Sequence, residues 1–180
     1  MKKFWQRSFY CAVMTKQLAL ECQILESDRL FVNGLLHDIG HLFMYIAIPE
    51  ESQDTILKAK KMGRPLYQVE RELLGFDYAK LGGYVMGKWD LPKSLQAITR
   101  FHPEPGKADQ FESETALLHL ASLLVQADLE DADFGAGAFL VDPAAWQLTG
   151  LTEEQCLQVQ HTAAEQFGEV ADSISSLDFN

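Results

Sequence analysis

The C-terminal part of the sequence contains no Lys or Arg. All fifteen Lys and Arg residues lie in residues 1–107, whereas residues 108–180 contain fourteen Asp and Glu. With twelve acidic residues of its own, the first part carries +3, so the net charge of −11 comes from the second part. Proteins that bind nucleic acid depend on basic side chains at phosphates, so this distribution argues against a nucleic-acid partner. It predicts solvated acidic helix faces, and the alternative is an acidic docking surface for a basic partner or for the basic part of another copy.

Cysteine is also scarce. The chain has three, Cys11, Cys22 and Cys156, an odd number at no metal-binding spacing. Cys11 and Cys22 fall in mostly apolar, helix-like segments. We therefore expect small buried side chains in a reducing compartment rather than a redox centre.

No long apolar run is free of polar residues. The longest, residues 30–48, contains Asn33, His37, Asp38 and His41, which would be costly in lipid. We expect a buried helix there rather than a membrane span. At the N-terminus the apolar run 9–14 is too short for a signal peptide. The sequence thus predicts a cytoplasmic protein without a membrane partner.

Helix signals follow one another along the whole chain, and no segment alternates as a half-buried strand does. Residues 1–180 with 47% hydrophobic residues and no long linker predict a single all-α domain. Because residues 29–47 are apolar on nearly every side, we expect one central buried helix there. The expected helices cover about 4–25, 29–47, 49–62, 65–74, 77–89, 92–102, 113–129, 143–148 and about twenty residues from Thr152, with loops at 103–109 and 132–142.

The dipeptide His37–Asp38 places an imidazole beside a carboxylate in an apolar segment. Buried polar groups need partners, since an unsatisfied one costs roughly 1–3 kcal/mol and an unpaired charge costs more. A divalent metal would satisfy both groups, because His nitrogen and Asp oxygen are common ligands. On its own, however, a His-Asp pair is more often structural.

The surroundings of this dipeptide are more specific. Short motifs occur in a fixed order: Phe4–Ser8, Gly34–Gly40, Glu70 with Leu74–Gly82, Trp89–Pro92, Ala97–Pro105 and Leu118–Ser122. This succession resembles the HDOD family, a bacterial output-domain branch of the HD phosphohydrolase superfamily. The resemblance covers roughly residues 4–170 and implies an HD-type helical bundle. It also implies that the N-terminal helical portion that usually precedes the Phe-Trp segment is absent from this sequence.

The resemblance implies a degenerate metal site. HD enzymes hold metal with a first-helix histidine, the His-Asp pair and a later aspartate, and these positions match Arg7, His37, Asp38 and Ser122. A guanidinium repels a cation, and a serine hydroxyl is a poor ligand beside a carboxylate. Without a bound ion to activate water, no nucleophile is obvious. We therefore predict no metal, no cofactor and no catalytic residue here.

Three histidines offer an alternative ligand set with His37. His41 stands four residues further along the same helix face, and His102 or His119 would have to approach it. The competing expectations are that His41 is a partly exposed helix residue and that His119 is a core histidine hydrogen-bonded internally. If no metal binds, Asp38 needs another cation, and we predict that Arg7 pairs with it directly or through one water.

The resemblance implies a non-catalytic regulatory or protein-interaction output domain in bacterial signal transduction, with self-association also open. The pocket of Arg7, His37, Asp38, Tyr78 and His102 would then be a relic or a small-ligand site. One alternative is a metal-dependent phosphohydrolase or phosphodiesterase with an unusual ligand set. Another is a nucleotide-sensing module without turnover. A bound metal would favour the first, and basic residues near His37 and Asp38 the second.

Overall fold

The protein is described by a computed structural model over residues 2–130, 134 and 141–176, and this part contains helices and no β-strand. The predicted all-α class is confirmed. The α-helices are α1 (Lys2–Glu21), α2 (Ser27–Leu36), α3 (Ile39–Ala47), α4 (Pro49–Met62), α5 (Leu66–Leu74), α6 (Tyr78–Lys88), α7 (Lys93–Phe101), α8 (Glu112–Leu129), α9 (Pro143–Thr149) and α10 (Glu153–Ser176).

Most helix ends lie where the sequence signals put them. Pro49 opens α4, and Gly63 ends it in the left-handed conformation, where a glycine has no Cβ penalty. Asp77 caps α6 by accepting a hydrogen bond from the backbone N–H of Lys80 at 2.7 Å. At the start of α10, the Thr152 hydroxyl accepts from the Gln155 N–H and the Gln155 side chain accepts from the Thr152 N–H. The predicted capping box is confirmed.

The expectation of one continuous buried helix over residues 29–47 is wrong. α2 ends at Leu36, and the backbone of Asp38 departs from helical geometry, so α2 and α3 are separate helices. The second half is not central either, since Tyr45 is 41% exposed and Ile46 is 70% exposed. Apolar composition alone does not reveal this break, because the residues on both sides of it are apolar and helix-compatible.

The central helix is α8. It packs against α1, and its buried residues include Leu117, Leu118, Leu120 and Leu124, all fully buried. The predicted cap at Ser113 is wrong, because α8 begins at Glu112 and the Ser113 hydroxyl donates instead to the Leu148 carbonyl at 3.2 Å. The predicted loop at 132–142 lies mostly outside the described residues.

The three cysteines are free thiols, with Cys11 and Cys156 buried and Cys22 partly buried. Burial raises the pKa of Cys11 to about 12, so this thiol is protonated at neutral pH and has little nucleophilic character. Residues 27–47 are long and apolar enough to cross a membrane by length and composition, although half of the segment is buried in the fold. Core segments share that property, so the absence of a membrane span stays a prediction.

Candidate functional site

The site begins at the break between α2 and α3, which turns two polar side chains into the interior. His37 is 1% exposed, and its Nδ1 lies 2.7 Å from the Gly34 carbonyl oxygen. Because a carbonyl only accepts, Nδ1 carries the proton and Nε2 keeps its lone pair. Burial lowers the pKa of His37, so the ring is neutral near pH 7.

The partner of Asp38 is His41, three residues further along the chain. His41 Nδ1 donates to Asp38 Oδ1, and His41 Nε2 donates to Glu70 Oε1 at 2.9 Å. All three side chains are buried, with exposures of 9% or less. One imidazolium therefore bridges two buried carboxylates and satisfies both of its N–H groups.

The charged state of His41 follows from these contacts. Burial by itself would lower the pKa of His41, but the carboxylates of Asp38 and Glu70 outweigh it and raise this pKa to about 9. Burial would conversely raise the pKa of Asp38, yet the hydrogen-bonded His41 holds it well below its usual range. Asp38 and His41 are therefore both charged at neutral pH.

Two tyrosine rings enclose the bridging imidazolium. The His41 ring lies 4.0 Å from the Tyr78 ring at 13°, and 5.4 Å from the Tyr45 ring at 6°. Faces of aromatic rings attract cations, which further favours protonated His41. The approach of α3 to α6 depends on Gly40, since a Cβ built there would lie 1.9 Å from the Tyr78 carbonyl oxygen.

Tyr78 also links this network to a second group of histidines. Its hydroxyl lies 3.0 Å from His102 Nε2, whose Nδ1 donates to the Thr99 carbonyl at 2.7 Å. Burial lowers the pKa of His102 to about 3, so the neutral ring accepts from Tyr78. The rings of His37 and His102 pack edge to face with centroids 5.5 Å apart. The structure thus brings together His37, Asp38, Tyr78 and His102 as predicted.

His119 and Ser122 both lie on α8. His119 Nδ1 donates to the His102 carbonyl at 2.9 Å, and Nε2 accepts from the Asp142 N–H at 3.0 Å. The expectation of an internally bonded core histidine is confirmed. The Ser122 hydroxyl donates to the His119 carbonyl at 2.8 Å, and within the described residues it has no hydrogen bond to His37 or Asp38.

The predicted direct pair of Arg7 with Asp38 is wrong. Within the described part of the chain Arg7 has no ion pair at 4.0 Å or less, and its buried Nε lacks a hydrogen-bond partner. The guanidinium is still close enough to matter: burial would lower the pKa of Arg7, and Asp38 nearby outweighs this and raises it. The cation that bonds to the Asp38 carboxylate is His41, which lies three residues further along the chain on α3. Pairing through a water stays a prediction.

His41 is also not the partly exposed helix residue that the sequence suggested, because it is 7% exposed. Sequence reasoning gave Glu70 no role, although a signal for it exists. Leu66, Val69, Glu70 and Leu73 follow the spacing of one helix face, and Glu70 is 1% exposed there. A carboxylate in the apolar stripe of a helix indicates a buried partner.

These residues do not fit a divalent metal ion. Asp38 is hydrogen-bonded to His41, His102 Nε2 receives the Tyr78 hydroxyl, and Ser122 is bonded to a carbonyl. The charges of His41 and Arg7 already balance those of Asp38 and Glu70, so a further +2 would be uncompensated. Within the described residues no three His, Cys, Asp or Glu side chains are placed to hold a metal.

Several solved structures resemble the fold. An HDOD domain protein of unknown function from Geobacter sulfurreducens is 16% identical with a TM-score of 0.72, over 94% of this chain and 61% of that chain. A candidate phosphohydrolase from Shewanella amazonensis SB2B is 24% identical with a TM-score of 0.64, over 89% and 63% respectively. The chain therefore spans about three-fifths of the length of these proteins.

Two further similar structures are described as a response regulator and a candidate signal transduction protein. The response regulator MmoQ from Methylococcus capsulatus str. Bath is 24% identical with a TM-score of 0.62, over 87% of this chain and 59% of that chain. A candidate signal transduction protein from Marinobacter aquaeolei VT8 is 20% identical with a TM-score of 0.77, over 94% and 38%. All these likenesses show the helical fold.

A comparison with curated proteins gives no match. The family model described as the HDOD domain matches residues 1–105, more than half of the chain, and this range contains His37, Asp38, His41, Glu70 and Tyr78. The chain belongs to the HDOD family.

Proposed function

We propose that this chain is a non-catalytic regulatory domain that acts in signal transduction by binding other proteins. The observation that carries the proposal is the bridge of His41 between Asp38 and Glu70. It engages the carboxylate that a metal would need, and the membership of the HDOD family supports a signalling role. Two of the similar folds, MmoQ and the Marinobacter protein, are described as signalling proteins, which agrees with this proposal.

The chemistry of the site supports the absence of turnover. Hydrolysis of a phosphate ester needs a nucleophile and a way to stabilise developing negative charge. Asp38 Oδ1 accepts a hydrogen bond from the charged His41. The pKa of His102 is lowered to about 3, and its Nε2 accepts from the Tyr78 hydroxyl. Neither group is available as a general base near pH 7.

The test is turnover under conditions that favour hydrolysis. The purified chain would be incubated with bis(p-nitrophenyl) phosphate and with nucleoside triphosphates, each with added Mn²⁺, Fe²⁺ or Zn²⁺. We expect the released p-nitrophenol and inorganic phosphate to match those of the His37→Ala, Asp38→Asn double variant. Turnover by the parent that the double variant loses would overturn the proposal and favour the phosphohydrolase alternative.

A further inference from the structure

A groove runs between α6 and α7 on the outer side of the bundle. Gly83 and Gly87 let the helices approach, since a Cβ at Gly83 would lie 2.9 Å from both the Arg100 Cβ and the Gln96 carbonyl oxygen. The resulting open groove has a volume of about 660 Å³. Gly83, Gly87 and Gln96 all line the groove, and the two glycines contribute no side chain to it.

The walls of this groove are basic. Lys80 and Lys88 on α6 and Lys93 and Arg100 on α7 line it, and all four are exposed. None of them forms an ion pair within the described residues. Asp109 is the single acidic residue of the lining.

The basic residues next to the groove differ from these four because they form ion pairs within the protein. Arg71 beside the groove is bonded to the carboxylates of Asp77 and Glu104, and Lys107 lies 2.8 Å from Glu104. Those charges are compensated inside the protein. The four groove cations have no such carboxylate partner within the described residues, so they can pair with an external anion. They form a local basic surface in a protein whose net charge is −11.

The arrangement of the four cations selects a shape of ligand. Lys80 and Lys88 lie eight residues apart on one helix, which is about 12 Å along its axis. Tyr84 lies between them, 61% exposed, with Lys88 Nζ 5.2 Å from its ring centroid. Lys93 and Arg100 face them along the second wall. Charges spaced in two rows fit an elongated anion with apolar groups, whereas a compact phosphate needs converging donors.

We propose that this groove docks an acidic segment of a partner protein, with carboxylates against the basic rows and an apolar side chain on Tyr84. The proposal rests on the protein-interaction role argued above and names its surface and the chemistry of its partner. Carboxylates complement unpaired cations and aromatic residues are frequent anchors of interfaces.

The probe is a fluorescein-labelled twelve-residue peptide that alternates Glu and Tyr, titrated with the full chain at low salt and followed by fluorescence anisotropy. We expect saturable binding that weakens at least tenfold in Lys80→Glu, Arg100→Glu. The matched control is Lys60→Glu, Lys61→Glu on α4, which changes the net charge equally at exposed residues away from the groove. Circular dichroism checks that both variants fold.

Several results would overturn the proposal. These are no saturable peptide binding, equal weakening in the control variant, or groove-dependent binding of ATP or single-stranded DNA without peptide binding. Self-association that depends on the groove while the peptide does not bind would also overturn it. None of these results bears on the proposed non-catalytic role, because that role is tested by the separate assay of p-nitrophenol and phosphate release.

Discussion

At the scale of single residues, the bridge of His41 between Asp38 and Glu70 has the largest energetic consequence. Removing one partner of a buried ion pair leaves an uncompensated charge. We predict that His41→Ala lowers the free energy of unfolding by about 3–5 kcal/mol, measured by urea denaturation. The matched control is His161→Ala, because the His161 side chain is 76% exposed and its contact with Glu165 at 3.6 Å is solvated. Equal stability of both variants would contradict the bridge.

The same histidine predicts how stability changes with pH. The pKa of His41 rises from an ordinary 6.5 to about 9 on folding. A raised folded pKa adds stability that is full below pH 6.5 and is lost as pH rises through 9. The shift corresponds to about 3 kcal/mol. We therefore expect the unfolding free energy to fall between pH 6.5 and 9.5 in the parent and to stay flatter in His41→Gln. Parallel pH profiles would assign the loss to other groups.

The residue types in the sequence predicted where the site lies, but they did not predict which of its side chains bond to each other. His37 and Asp38 stand out because a buried imidazole and carboxylate need partners, whatever the fold. Which cation contacts Asp38 depends on the backbone turn between α2 and α3, and apolar composition does not indicate that turn. The motif match therefore predicted that Arg7 lies near the site. That His41, and not Arg7, forms the hydrogen bond to Asp38 is seen only in the structure.

At the scale of elements, the contact between α3 and α6 sets the geometry of the site. Gly40 leaves no room for a side chain beside the Tyr78 backbone. We predict that Gly40→Ala separates the helices, weakens the stacking of His41 on Tyr78 and destabilises the fold by about 1–3 kcal/mol or more. Thermal unfolding measures the loss.

The control for this prediction is Gly168→Ala on α10. A Cβ there meets no atom within 4 Å, so the change should be neutral or stabilise the helix by up to about 1 kcal/mol. A Gly40→Ala protein as stable as Gly168→Ala would show that α3 and α6 do not pack this closely.

Helix ends were predictable because their causes are local. Pro49, Gly63 and Asp77 act through the backbone of their own turn, so the sequence alone indicates where those helices begin or end. The predicted start of α8 was wrong because serine is a preferred N-cap residue. The Ser113 hydroxyl instead donates to the carbonyl of Leu148, thirty-five residues away. Tertiary contacts override local signals of that kind.

At the scale of the whole molecule, the segregation of charge predicts a second binding surface on the acidic part. We expect an oligolysine peptide to bind the chain at low salt and to dissociate as salt screens exposed charges beyond about 8–10 Å. Glu153→Gln, Glu154→Gln should weaken this binding, and Glu50→Gln, Glu51→Gln should not. Both pairs are exposed and lie in the first turn of a helix, so their local settings match. If both double variants weaken oligolysine binding equally, the acidic helix faces are only solvated and do not form a docking surface.

The central claim is that internal charges replace a metal ion in this HDOD chain, and metal content tests it most directly. The purified chain would be dialysed against Fe²⁺, Mn²⁺ and Zn²⁺ in turn and then analysed for metal per chain. We predict far less than one ion per chain, unchanged in His37→Ala. About one Fe, Mn or Zn per chain, lost in His37→Ala, would contradict the account.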